Sequence, residues 1–174
     1  MRKIRVLHLT STRYGIGGVE KLLLDLSDKY DDSTFEIAYS NLFCDKGGVG
    51  AFPTAIKDRG LRYLNIKGNR IWHLPKIVIQ LIQILKREQI DILHVHMMQA
   101  TIVGAIAARL SNTTILVTRH YSPGPSHSGS NGVGRKFMLQ IDRYFTKSMK
   151  TVLAVSDHVR RELLAWGVEP QSVE

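Results

Sequence analysis

The 174-residue chain carries 24 Lys plus Arg against 15 Asp plus Glu, a formal charge of +9, so anionic partners are favoured. No helix-turn-helix, zinc-finger or aromatic RNP-like pattern accompanies that charge, and nucleic acid is not the expected partner. The lone Cys44 cannot close an internal disulfide, no apolar run approaches the ~20 residues of a membrane span, and the Arg2-Lys3-Ile4-Arg5 start lacks a cleavable leader pattern, which leaves a single cytoplasmic domain as the expectation.

The chain opens with an apolar β-rich run, Ile4 to Thr10, which breaks into Gly15-Ile16-Gly17-Gly18 and resumes with helical spacing at Leu22, Leu23, Leu24 and Leu26. Strand, glycine loop, helix is the start of a βαβ unit, and the helix N-terminus offers N–H groups to an anion such as phosphate. Glu20 stands where the dinucleotide fingerprint requires its third glycine, the second apolar run ends at Asn41 where that fingerprint wants an acid, and no P-loop pattern occurs. A Gly17-Gly18 pair remains, which lets backbone approach a ligand closely; a plain tight turn is the alternative. Arg13 beside it is a candidate cation, with simple solvation as its alternative.

Phe35 to Ser40 reads as a second strand, Phe52 to Arg59 as a short helix and Arg62 to Ile66 as a third strand. A helical stripe at Leu74, Ile77, Val78, Leu81, Ile82, Ile84 and Leu85 ends in Lys86-Arg87, cations suited to a helix C-terminus. Ile90 to His96 is the fourth strand, and Ala100 to Leu110 a helix whose Ala and Gly residues permit close approach to a sheet. Thr114 to Thr118 is the fifth strand. Ser122 to Gly134 has hardly an apolar residue and reads as a mobile loop. A basic amphipathic helix over Arg135 to Met149 follows, then a sixth strand over Thr151 to Val155. Ser156 is a good N-cap for a last helix from Asp157 to Trp166, which Gly167 and Pro170 stop. Regular alternation of this kind predicts an α/β fold, a Rossmann-like doubly wound parallel sheet.

His94 and His96 lie two apart on a strand and project to one face, a superficial metal pair; no nearby Cys or carboxylate pair supplies the further ligands of a zinc set, so two histidines at a strand end, one near the cleft, is the favoured reading. His8 reads as a core histidine of the first strand. His120 and Arg119 stand at the end of the fifth strand, where open α/β sheets bind ligands.

Four segments together resemble the N-terminal half of a GT-B glycosyltransferase of the retaining family 4 type. They are Gly15-Ile-Gly-Gly-Val-Glu20, Asp91-Ile-Leu-His-Val-His96 leading into an alanine-rich helix, Thr118-Arg-His120, and Val155-Ser-Asp-His-Val-Arg-Arg-Glu-Leu163. The resemblance implies one half of a two-domain architecture, residues 1–174 being the acceptor-side Rossmann-like domain. The C-terminal donor-gripping domain would lie outside these residues, as would the family's paired glutamates, since no Glu here has another Glu eight positions later. It also implies that Gly17 and Gly18 approach the donor diphosphate and that His120 contacts the donor sugar near the reacting carbon. Arg119 shares that spot, and His96 is an acceptor-side candidate.

The expected activity is transfer of a sugar from a nucleotide-sugar donor to a glycan or lipid-linked acceptor with retention, needing no metal. These residues alone, a shortened chain or a half-enzyme, are expected to be inactive. Lipid-linked acceptors in the family keep peripheral membrane contact by the basic helix in play, against a simply solvated charged face. A non-catalytic nucleotide-binding module, or a separately encoded half-subunit, is the alternative.

Overall fold

The structure, a computed structural model, describes residues 2–12, 15–42, 50–68, 73–120 and 133–174. Six strands, β1 (Ile4–Thr10), β2 (Phe35–Asn41), β3 (Arg62–Tyr63), β4 (Ile92–His96), β5 (Thr114–Arg119) and β6 (Val152–Ala154), form one sheet in the order β3-β2-β1-β4-β5-β6. Every pairing in it is parallel. The α/β, Rossmann-like expectation therefore holds. Between the strands run α1 (Gly18–Leu26), α2 (Ala51–Asp58), α3 (Leu74–Arg87), α4 (Met98–Ser111), α5 (Val133–Lys147) and α6 (Asp157–Ala165). Element limits agree with the sequence reading to within a residue or two, except that β3 is only two residues long. Beyond it the Leu64 N–H still donates to the Tyr39 carbonyl, so the chain leaves the ladder gradually.

Local chemistry explains the helices. Pro75 sits in the first turn of α3, where a missing N–H costs nothing, and Lys86 and Arg87 occupy its last turn. At the start of α6 the Ser156 hydroxyl accepts from the Val159 N–H at 3.3 Å, as its N-cap position predicts. Helix α4 lies unusually close to the sheet: a Cβ on Gly104 would stand 2.5 Å from Val95 Cγ1, so only glycine fits there. Asn112 ends that helix with φ 57°, a left-handed conformation that asparagine tolerates.

Two apolar clusters of very unequal size result. Among the described residues the larger joins 24 buried ones, including Leu7 and Leu9 of β1, Leu93 and Val95 of β4, Val117 of β5, and the inner faces of α3 and α4. The smaller has five described members, Leu23 and Leu24 of α1, Tyr39 of β2, and Phe52 and Ile56 of α2. Alternation along β1 and β4 turns His8, His94 and His96 away from the large cluster, toward the face that carries Tyr39. Imidazoles thus fill the place of aliphatic packing beside the smaller core. Among the described residues no helix is long and apolar enough to cross a membrane.

Candidate functional site

The strand order reverses between β1 and β4, and in such sheets ligands bind in the crevice beyond the strands' carboxyl ends at that point. Parallel register brings the histidines together there. His8 pairs with His94 across β1 and β4, while His96 pairs with Thr118 across β4 and β5. His120 follows β5 directly.

The rings form a continuous series. Tyr30 Oη lies 3.0 Å from His8 Nε2, His8 Nδ1 lies 3.0 Å from His96 Nε2, and His96 Nδ1 lies 3.0 Å from His120 Nε2. His94 stands alongside, its ring centroid 4.3 Å from that of His96 and 4.8 Å from that of His8, with its Nε2 2.6 Å from Thr118 Oγ1. His8 and His96 are buried at 3 % and 2 % exposure. Burial, reinforced by the neighbouring His94, holds His8 down to about 3; burial holds His94 down to about 4, with His120 adding to the effect. His96 is also held well below its ordinary value by burial and by the three rings around it. Half-buried His120 is lowered by desolvation, and the charge of Glu20 opposes the shift. At neutral pH the cluster is therefore a set of uncharged imidazoles.

Glu20 is the residue that sequence reasoning left out. It is 1 % exposed, its Oε2 accepts from the Gly17 N–H at 3.1 Å, and its Oε1 accepts from the Thr12 hydroxyl. The N-terminus of α1 is thus already occupied by an internal carboxylate, and Gly17 gives its N–H to the protein rather than offering it outward. The Gly17-x-x-Glu20 spacing, an N-cap followed three residues later by Glu, was the available signal. Gly18 differs: it is exposed, and a Cβ built on it would meet nothing within 4 Å. Space for a close ligand therefore exists at Gly18. Gly15, with φ 67°, supplies the turn that only glycine takes without strain.

Arg119 is placed differently from the sequence expectation. Only 4 % exposed, it donates from Nη2 to Asp142 Oδ1 at 2.6 Å and to the Thr146 hydroxyl, both on α5, and its guanidinium lies 5.7 Å from the Trp166 ring centroid. Its charge ties β5 to α5 inside the protein. Arg13 and the Ser122-to-Gly134 loop as far as Gly132 lie outside the described residues.

At the corner between β4 and α4, Met97 has φ 74° and ψ 157°, a conformation that is essentially glycine's. The Thr12 hydroxyl reaches its sulfur at 3.5 Å and the Ser11 hydroxyl donates to Gln99 Oε1 at 3.2 Å, so the segment after β1 is fastened to this corner. The strain sits at the crevice.

His8, His94 and His96 bring one ring nitrogen each within 4.8 Å of one another, a three-imidazole set of the type that holds zinc. The sequence offered only the last two of these. Here His8 Nδ1 and His96 Nε2 face each other at hydrogen-bond distance, while His94 Nε2 is turned to Thr118.

The family model for Glycosyltransferase Family 4 matches residues 16–174. No curated protein sequence matches the chain. Among solved structures, HepE from Anabaena in complex with UDP and glucose superposes with a TM-score of 0.76 at 18% identity, covering 98% of this chain and 43% of that one. The lipopolysaccharide outer core galactosyltransferase WaaB, in its apo form, gives 0.71 at 18% identity, with 98% and 44% covered. A UDP-N-acetylglucosamine 2-epimerase gives 0.66 at 17% identity, with 99% and 47% covered. At such identities the likeness is one of fold, and the chain spans less than half the length of these structures.

Proposed function

Because the chain belongs to glycosyltransferase family 4, we propose that it forms the acceptor-side half of an enzyme that transfers a sugar, with retention, from a nucleotide-sugar donor to a glycan or lipid-linked acceptor. The observation that carries this reading is that His96 and His120 meet at 3.0 Å beside the sheet's switch point, within reach of the charge of Glu20, which lies two residues after the open backbone of Gly18. HepE and WaaB, which share the fold, are described as binding UDP with glucose and as a galactosyltransferase. The 2-epimerase shares it too, so the family match and not the fold separates transfer from epimerisation.

In this proposal Gly18 lets the donor diphosphate approach α1, and His120, uncharged, hydrogen-bonds the donor sugar without adding a fixed charge. The nucleotide-gripping domain and its glutamates lie outside these residues, no metal takes part, and the 174 residues alone are inactive. Arg119 contributes by holding α5 in place. On α5 the exposed Phe137 and Tyr144 stand among lysines, which supports contact with an anionic membrane carrying a lipid-linked acceptor, on the cytoplasmic side.

The test is made in the full-length protein. His120→Ala is expected to lower kcat by roughly 10²–10³-fold, the worth of one preorganised active-site hydrogen bond, with its melting temperature near the parent's. Retention of most activity would make the histidine structural. Gly18→Val meets open space within the fold, so it is expected to melt like the parent while raising the donor's apparent KM. Nucleotide-sugar binding without any transfer or hydrolysis by the full-length protein would favour the non-catalytic module instead.

A further inference from the structure

We propose that Tyr30, His8, His96 and His120 form a proton wire through the switch point, in which the Tyr30 hydroxyl sets the tautomer that His120 presents to the crevice. Three successive contacts of 3.0 Å link the four side chains, and both nitrogens of His8 and of His96 are used in them. The two middle rings are almost wholly buried, so the groups beside them are their route for proton exchange. His94 and Tyr39 flank the series without interrupting it: Tyr39 stacks on His8 at 5.5 Å, and His94 has its own partner in Thr118.

A neutral imidazole has one N–H, so the series satisfies every contact in only two ways. In the first, Tyr30 O–H donates to His8 Nε2, His8 Nδ1–H to His96 Nε2, and His96 Nδ1–H to His120 Nε2, leaving His120 with its proton on Nδ1. In the second all arrows reverse, and His120 Nδ1 is bare. Mixed patterns either place two N–H groups against each other or leave two lone pairs facing at 3.0 Å. A phenol O–H is a stronger donor than a neutral imidazole N–H, so the first pattern is the resting one. His120 then offers a hydrogen-bond donor at Nδ1.

The reversal from the second pattern to the first moves protons without building charge. A proton taken up at His120 Nδ1 releases Nε2–H to His96 Nδ1, which releases Nε2–H to His8 Nδ1, which releases Nε2–H to the Tyr30 oxygen. Tyr30 gives its original hydroxyl proton to water. Each ring ends neutral, with one N–H formed and one broken. Tyr30, only partly buried, is the solvent end of the series. Tyr30 and His8 are positioning residues; that their effect reaches catalysis rests on the role proposed above for His120.

The experiment is ¹⁵N NMR of the histidine-labelled 174-residue chain at pH 7.5, comparing the parent with Tyr30→Phe. The parent is expected to show His8, His96 and His120 all protonated on Nδ1, and Tyr30→Phe is expected to move all three toward the Nε2–H form, although three contacts separate residue 30 from residue 120. In the full-length enzyme Tyr30→Phe should then lower kcat roughly two- to tenfold, the worth of one neutral hydrogen bond, with KM and melting temperature little changed. Unchanged His120 signals in Tyr30→Phe would overturn the wire. So would a parent in which His8 Nδ1 and His96 Nε2 are both bare and bind added Zn²⁺ stoichiometrically. If the signals shift but His120→Ala leaves turnover intact, the wire stands and the catalytic role of His120 falls.

Discussion

Lowering the pH from 7 to 5 is expected to destabilise the chain strongly. His8 is held down to about 3, His94 to about 4 and His96 well below its ordinary value, whereas in the unfolded chain each titrates near 6.5. Between those limits the unfolded state binds protons that the native state refuses, so stability falls as pH falls, by about 1.4 kcal/mol per pH unit for each such group. By pH 5 His8 and His94 have each withdrawn about 2 kcal/mol, about 4 kcal/mol together, and His96 adds in the same direction, against a whole stability of about 5–15 kcal/mol for a small domain. His120 adds in the same direction. Asp142 pulls the other way, since burial raises its carboxyl despite the adjacent Arg119, but it is one group against three. Denaturant midpoints followed by circular dichroism from pH 7.5 to 4.5 should drop most steeply below 6.5. A flat profile down to pH 5 would mean that the buried rings accept charge without penalty.

The second large effect is expected at the α5 anchor. Asp142→Ala should cost about 3–5 kcal/mol, because it strands the Arg119 guanidinium with no opposing charge where the paired side chains are only 5 % and 1 % exposed. The Thr146 hydroxyl and the Trp166 face cannot replace a carboxylate. Removing both charges is milder: Arg119→Met with Asp142→Leu should recover most of the loss, since a buried ion pair gives little net stability over apolar packing. Thermal melts of the single and double variants decide it. If Asp142→Ala melts with the parent, the ion pair is not what secures α5.

These two sites also mark the limit of what could be read in advance. The β1-to-α1 opening, the stripe on α3 and the Ser156 cap depend on residues within a turn or two of each other, and period and capping chemistry reveal such features directly. His8 and His96 are 88 residues apart, and Arg119 and Asp142 are 23 apart. Their meeting depends on which strands become neighbours, and no local spacing encodes that. His8 therefore looked like an ordinary core residue, and Arg119 like a ligand cation, because each was judged beside its sequence neighbours. Glu20 was a different kind of omission: its position ruled out a dinucleotide fingerprint, and that negative use hid its positive one as the carboxylate capping α1.

The unequal division of the apolar interior bears on motion. Among the described residues, α3 and α4 are secured by a cluster of 24, while α1 rests on a cluster of five. Local opening follows the lightest packing, so the amides of α1 are expected to exchange with solvent through small fluctuations that leave α3 and α4 closed. The glycine loop is then carried on the part of the molecule expected to yield first. A ligand seated at Gly18 would tighten that part most, and its binding would be felt as slowed exchange in α1 well before any change in the rest of the sheet.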